Sequence, residues 1–93
     1  MKASPIYSDK QKFSDGSILE VKIWKVPKPL PGSPHPYKYR LFYGFPGERV
    51  VAYDNERGKG DHKHLRSDEV PYRFESVERL VRDFFKDVEE AAR

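Results

Sequence analysis

The densest run of reactive and phosphate-binding side chains in this 93-residue chain is Tyr53-Asp54-Asn55-Glu56-Arg57-Gly58-Lys59-Gly60-Asp61-His62-Lys63-His64. Two of the three histidines fall in it. If residues 62–64 are extended, both imidazoles project to one side, about 6.5–7 Å apart at Cα, because alternate strand residues share a face. One chemistry that suits this spacing is metal-independent RNA cleavage. One imidazole takes the proton of a 2′-hydroxyl as it attacks phosphorus, and a second, protonated imidazole hands a proton to the leaving 5′-oxygen. Histidine fits because its free pKa, about 6.5, leaves both forms available near neutrality. Arg57, Lys59, Lys63 and Arg66 would hold the phosphate and offset charge on its oxygens, and the glycines allow close backbone approach. Tyr53 and Asn55 flank the loop as further substrate contacts, and Asp54 would orient a histidine or a cation.

The second chemistry is divalent metal binding by His62, His64 and a carboxylate from Asp54 or Asp61. The metal-independent route is the favoured one and calls for no cofactor. The same segment also reads as a solvated turn whose histidines titrate without consequence. Asp54-Asn55 has the character of an Asx turn, and Tyr53 that of a core residue. His35, between prolines, is a loop residue rather than a ligand. Lys38 and Arg40 would extend a cationic surface toward a nucleic-acid backbone, or simply keep a strand soluble.

The elements that must position these residues are legible from periodicity. Ile6 and Tyr7 suggest an edge strand reaching Phe13, and Asp15-Gly16 suits a type I′ hairpin turn. Residues 18–26 alternate, with Leu19, Val21 and Ile23 facing one way and Glu20 and Lys22 the other, while Trp24 and Val26 imply a bulge or a two-sided cover. Residues 27–36, PKPLPGSPHP, hold five of the eight prolines and predict an extended, polyproline-like connection, or else a docking ribbon for an aromatic groove. Tyr37, Tyr39, Leu41, Tyr43 and Phe45 share one face of the next strand. Pro46-Gly47 offers a type II turn, and residues 49–54 pair back as the following strand. Residues 62–66 are a short strand or irregular. Ser76 caps a C-terminal helix whose Val77, Leu80, Val81, Phe84, Phe85 and Val88 form an apolar stripe over the sheet.

Ninety-three residues make one domain, 1–93, with an α+β fold: an antiparallel β-meander of about four strands packed on one C-terminal α-helix. So small a core gains from a partner, whether another protein or a second copy as a homodimer. Eighteen Lys and Arg against fifteen Asp and Glu give a net charge of +3, and residues 20–66 carry ten basic against five acidic side chains. A basic surplus favours polyanions without naming one. The absence of cysteine excludes disulfides, thiolate metal sites and cysteine nucleophiles, and fits a reducing cytoplasm. No apolar run is long enough for a signal peptide or a membrane span.

The run Tyr39-Arg40-Leu41, the turn at Gly47, Arg49-Val50-Val51, residues 53–64 and Glu69 to Phe74 with Ser76-Val77-Glu78 resemble the TumE family of bacterial and archaeal toxin-antitoxin proteins. Asp15-Gly16-Ser17 and residues 31–35 fit the same pattern, so the resemblance covers nearly the whole chain. It implies a small cytoplasmic toxin, masked by a cognate antitoxin that is often a DNA-binding regulator. Arg66-Ser67 departs from the glycine-rich turn expected after the H-x-H. Together with the chemistry above, the resemblance points to a toxin acting on RNA, an endoribonuclease with His62 and His64 in acid and base roles. The competing class is a non-enzymatic module that binds nucleic acid or protein through the basic 55–66 loop.

Overall fold

A computed structural model describes residues 3–55 and 58–92. Six strands precede one helix: β1 (Ser4–Lys12), β2 (Ile18–Lys25), β3 (Tyr37–Phe45), β4 (Glu48–Asp54), β5 (His62–Leu65), β6 (Asp68–Pro71) and α1 (Val77–Ala91). They form one antiparallel sheet in the order β1-β2-β3-β4-β5-β6. The α+β class stands, but the sheet has six strands rather than about four. Residues 62–66, expected as a short strand or irregular, supply β5, and β6 follows; both are four residues long and carry His, Lys, Asp, Glu and Pro, so they lack an alternating apolar signature. Among the described residues no helix is long and apolar enough to cross a membrane.

Alternation sets the core. Leu19, Val21 and Ile23 of β2, Tyr39, Leu41 and Tyr43 of β3, and Val51 and Tyr53 of β4 are buried with Leu80 and Phe84 of the helix. Ser76 caps that helix by accepting the Arg79 N–H at 3.0 Å, and Leu80 and Phe84 are its two buried residues. Phe85, expected on the same stripe, is 39% exposed, because it sits 100° round the helix from Phe84 and past the edge of the sheet contact.

The turns differ from expectation in instructive ways. Gly16 has φ 90° whereas Asp15 keeps a negative φ, which excludes a type I′ turn. Gly16 N–H donates to Phe13 O at 3.0 Å and Phe13 N–H to Ser17 O at 2.9 Å, so a turn over 13–16 is followed by a left-handed glycine. At Pro46-Gly47, φ of 78° at glycine fits type II. Such a turn twists against the strands it joins, and the β3–β4 ladder shifts register immediately beyond it, between Tyr43 and Gly44. A Cβ on Gly44 would lie 2.2 Å from the Glu48 carbonyl, so only glycine fits that bulge. The disruption expected near Trp24 falls on its partner, a bulge in β1 between Pro5 and Tyr7.

The proline segment folds back on itself instead of running straight. Ser33 N–H donates to Leu30 O at 2.9 Å, with Gly32 at φ 92°, and Val26 N–H closes the loop onto Pro36 O at 2.9 Å. The loop docks within its own chain: Gly58 N–H donates to Pro31 O at 2.8 Å, and a Cβ on Gly60 would meet the Gly32 carbonyl at 2.9 Å.

Two predictions arise here. Arg66, in the β5–β6 turn, is the one non-glycine among the described residues with positive φ, 57°. A side chain there costs about 1–2 kcal/mol relative to glycine, partly offset by glycine's greater freedom in the unfolded chain. Arg66→Gly is therefore expected to raise the urea midpoint by an amount worth up to about 1 kcal/mol. Second, burial, followed by hydrogen bonds to Asp61, Asp87 and Asp83 respectively, pushes the phenols of Tyr39, Tyr53 and Tyr72 far above the ordinary tyrosine value. A group whose folded pKa is raised stabilises the fold fully below its unfolded pKa, about 10, and that contribution is lost as pH rises beyond it. Phenolate absorbance at 295 nm from these three should appear only together with loss of the far-ultraviolet circular dichroism signal. Smooth ionisation of all six tyrosines in a folded chain would contradict the assignment.

Candidate active site

Register decides which residues meet. Leu41, Tyr53 and Lys63 lie side by side across β3, β4 and β5, and so do Arg40, Asp54 and His62, and Phe42, Ala52 and His64. The first row faces the helix: Tyr53 OH donates to Asp87, Lys63 Nζ lies 3.2 Å from Asp87 Oδ2, and the Tyr53 ring meets Phe84 edge-on. Neighbouring residues of a strand point to opposite faces, so Arg40, Asp54, His62 and His64 stand on the face away from the helix.

There, Asp54, His62 and His64 each present a donor atom, all within 4.8 Å of one another. The two imidazoles pack edge-to-face with centroids 5.1 Å apart. Both side chains are nearly closed over, at 8% and 9% exposure, and Asp54 retains 30%. The protons can be assigned from the partners. His62 Nδ1 lies 3.1 Å from the Gly60 carbonyl, which can only accept, so Nδ1 carries a proton and Nε2 is the nitrogen turned to Asp54. His62 Nε2 is 2.7 Å from Asp54 Oδ1. That contact is close but poorly aligned, since Asp54 Oδ1 is buried and accepts no well-directed hydrogen bond from any described residue. His64 Nε2 stands 3.4 Å from Glu69 Oε2. Burial, reinforced by the positive charge of Arg49, lowers the His64 pKa below the ordinary histidine value against the opposing pull of Glu69.

The cluster is approached from two sides. Arg40 and Asp54 border two adjoining hollows of about 310 and 300 Å³, the first also lined by Arg49 and Ala52. His62 borders a third, of about 330 Å³, with Lys59 and Glu69.

Other expected contacts are placed elsewhere. Tyr53 is fully buried in the core and Lys63 faces the helix, so neither reaches the imidazole face. Asn55, 1% exposed, is a brace: its Oδ1 accepts Tyr39 N–H at 2.9 Å and its Nδ2 donates to Tyr37 O at 2.6 Å. The Arg66 guanidinium is solvated beside Glu48, at 3.8 Å. Arg57 lies outside the described residues. Asp61, the alternative metal carboxylate, is turned to the helix side, where its Oδ1 accepts the Tyr39 hydroxyl at 2.7 Å. His35 lies in the β2–β3 loop, as expected, and is buried there. Its Nδ1 accepts Tyr37 N–H at 3.3 Å, which leaves Nε2–H to donate to Asp61 Oδ1 at 2.8 Å, and its ring stacks on Phe74 with centroids 3.8 Å apart. Arg49 and Glu69 are the neighbours that strand parity missed. The bulge at Gly44 carries Arg49 into the hollow beside Ala52, and Glu69 becomes opposite His64 only once β6 is recognised.

A small antiparallel sheet backed by one helix, with a carboxylate and two imidazoles gathered on the face away from that helix, defines a compact α+β protein with a histidine–aspartate cluster across β4 and β5. The Toxin TumE family model matches residues 2–92, and the chain belongs to that toxin family. Neither the curated proteins nor the solved structures contain a significant match.

Proposed function

We propose that this protein is the toxin of a toxin-antitoxin pair and acts on RNA as an endoribonuclease at Asp54, His62 and His64. The observation that carries the reading is the pairing of unlike imidazoles. His64 is held toward its neutral form by burial and Arg49, which suits a base. His62 donates Nδ1–H to the Gly60 carbonyl and faces the Asp54 carboxylate through Nε2, 2.7 Å away, and it takes the part of the acid in this reading. General acid–base catalysis requires two such groups within reach of one phosphate, one to take a proton and one to give it.

In this mechanism His64 removes the 2′-hydroxyl proton as the 2′-oxygen forms its bond to phosphorus. The bond from phosphorus to the 5′-oxygen breaks, and His62 delivers its proton to that oxygen. The products are a 2′,3′-cyclic phosphate and a free 5′-hydroxyl. Arg40 and Arg49, which line the hollow beside Asp54, take the phosphate-holding part expected of the loop cations. Lys59 beside His62 adds to it from the other side. The cognate antitoxin, a DNA-binding regulator in this reading, would silence the toxin by covering this face.

The test is incubation of purified protein with an end-labelled RNA in the presence of a chelator. Cleavage products carrying cyclic phosphate are expected. RNA left intact both with chelator and with added divalent metal would sink the assignment and favour the binding-module reading, in which affinity falls smoothly with salt.

A further inference from the structure

We infer that Asp54, His62 and His64 form a binding site for a transition-metal dication of the Zn²⁺ type. Three independent features of the cluster support this. Its donors are two imidazole nitrogens and one carboxylate oxygen, all within 4.8 Å and largely shielded from solvent. The His62 Nδ1–H to Gly60 carbonyl bond, 3.1 Å, is the outer contact that fixes a ligating imidazole and frees Nε2 as the donor. Asp54 Oδ1 is buried without an aligned hydrogen bond, so a carboxylate oxygen aimed among imidazoles lacks the partner its burial demands.

Geometry and donor type agree on the ion. Ligand bonds of about 2.0–2.2 Å in a tetrahedral shell put donor atoms about 3.3 Å apart. The His62 to Asp54 separation of 2.7 Å would open slightly, and the widest spacing of 4.8 Å would close by about 1.5 Å, within reach of side-chain torsions. Nitrogen-rich donors select zinc over magnesium or calcium, which require oxygen shells. Asp61 is excluded because Tyr39 and His35 already occupy its Oδ1. Three protein donors leave one position for water, and a lone pair given to a metal is withdrawn from proton transfer. If the RNA reading holds, zinc therefore competes with cleavage.

The decisive measurement is calorimetric titration of the chelator-stripped full-length chain with ZnCl₂, in parallel with MgCl₂. One zinc per chain is expected, with no saturable magnesium signal, and Co²⁺ in place of zinc should give the visible bands of a tetrahedral nitrogen–oxygen site. His62→Gln and His64→Gln should each weaken zinc by more than about 100-fold while retaining the wild-type circular dichroism spectrum. Absence of stoichiometric zinc binding by the wild type overturns the site, as does unchanged affinity in a folded double variant. RNA cleavage is scored separately. Intact RNA together with zinc binding defeats the nuclease reading alone, and cleavage without zinc binding defeats the metal site alone.

Discussion

His62→Gln and His64→Gln are each expected to lower single-turnover RNA cleavage by about 10²–10⁴-fold and to relieve growth arrest when expressed without antitoxin. Glutamine keeps the approximate size and one hydrogen-bonding end of the imidazole but neither accepts nor releases a proton near neutrality. A loss of that size is about 3–5 kcal/mol of transition-state stabilisation. Because the two groups would act in one step, the double variant should lose little more than either single one. RNA affinity, read at the same salt, should change far less than turnover. Variants that arrest growth as well as wild type would remove His62 and His64 from the chemistry. Asp54→Asn gives a finer readout: it keeps the shape but removes the carboxylate charge 2.7 Å from His62 Nε2, so turnover should fall while RNA affinity at the same salt changes far less.

Phe84→Ala should produce the largest stability loss of any single truncation in the helix. Phe84 is completely buried, stands edge-on to Tyr53 at 5.8 Å, and with Leu80 makes up the buried face that joins α1 to the sheet. Removing a buried phenyl ring costs about 3–5 kcal/mol through lost burial and the cavity left behind. Chains of this size have total stabilities of about 5–14 kcal/mol, so the thermal midpoint should drop by on the order of 20 °C. Differential scanning calorimetry checks this directly, and a drop of only a few degrees would show that the helix is not the lid of the core. The variant also separates two ways of losing toxicity. Phe84→Ala should fail through unfolding and regain activity on cooling, whereas the histidine variants should remain inactive at every temperature.

The parts of the fold that were legible in the sequence follow a simple period. Leu19, Val21 and Ile23, the β3 alternation and the Leu80–Phe84 stripe are repeated choices of apolar side chain, and they bury as alternation and 3.6-residue spacing dictate. Strands β5 and β6 were obscured because their pairing is dictated by an Arg66–Ser67 turn and by histidines buried on the helix-free face, neither of which leaves an apolar rhythm. At the site, H-x-H spacing was enough to place two rings together. It could not say that Asp54 rather than Asp61 would join them, since that choice depends on the β4–β5 register and on Tyr39 and His35 engaging Asp61 from the opposite side. Arg49 was hidden for the same kind of reason: one extra residue at a bulge reverses the parity on which the reading of its strand relied.

The strictly sequential strand order also bears on when the protein can become harmful. Each hairpin pairs with the segment made just before it, so β1 to β4 can assemble in the order in which the ribosome releases them. The two imidazoles arrive later, on a four-residue ribbon anchored by Gly58 to a proline loop made much earlier, and the helix that covers Tyr53 follows them. A nascent polypeptide is thus expected to lack the assembled imidazole cluster until well after its first four strands have paired, so whatever the cluster does is delayed relative to the folding of most of the sheet.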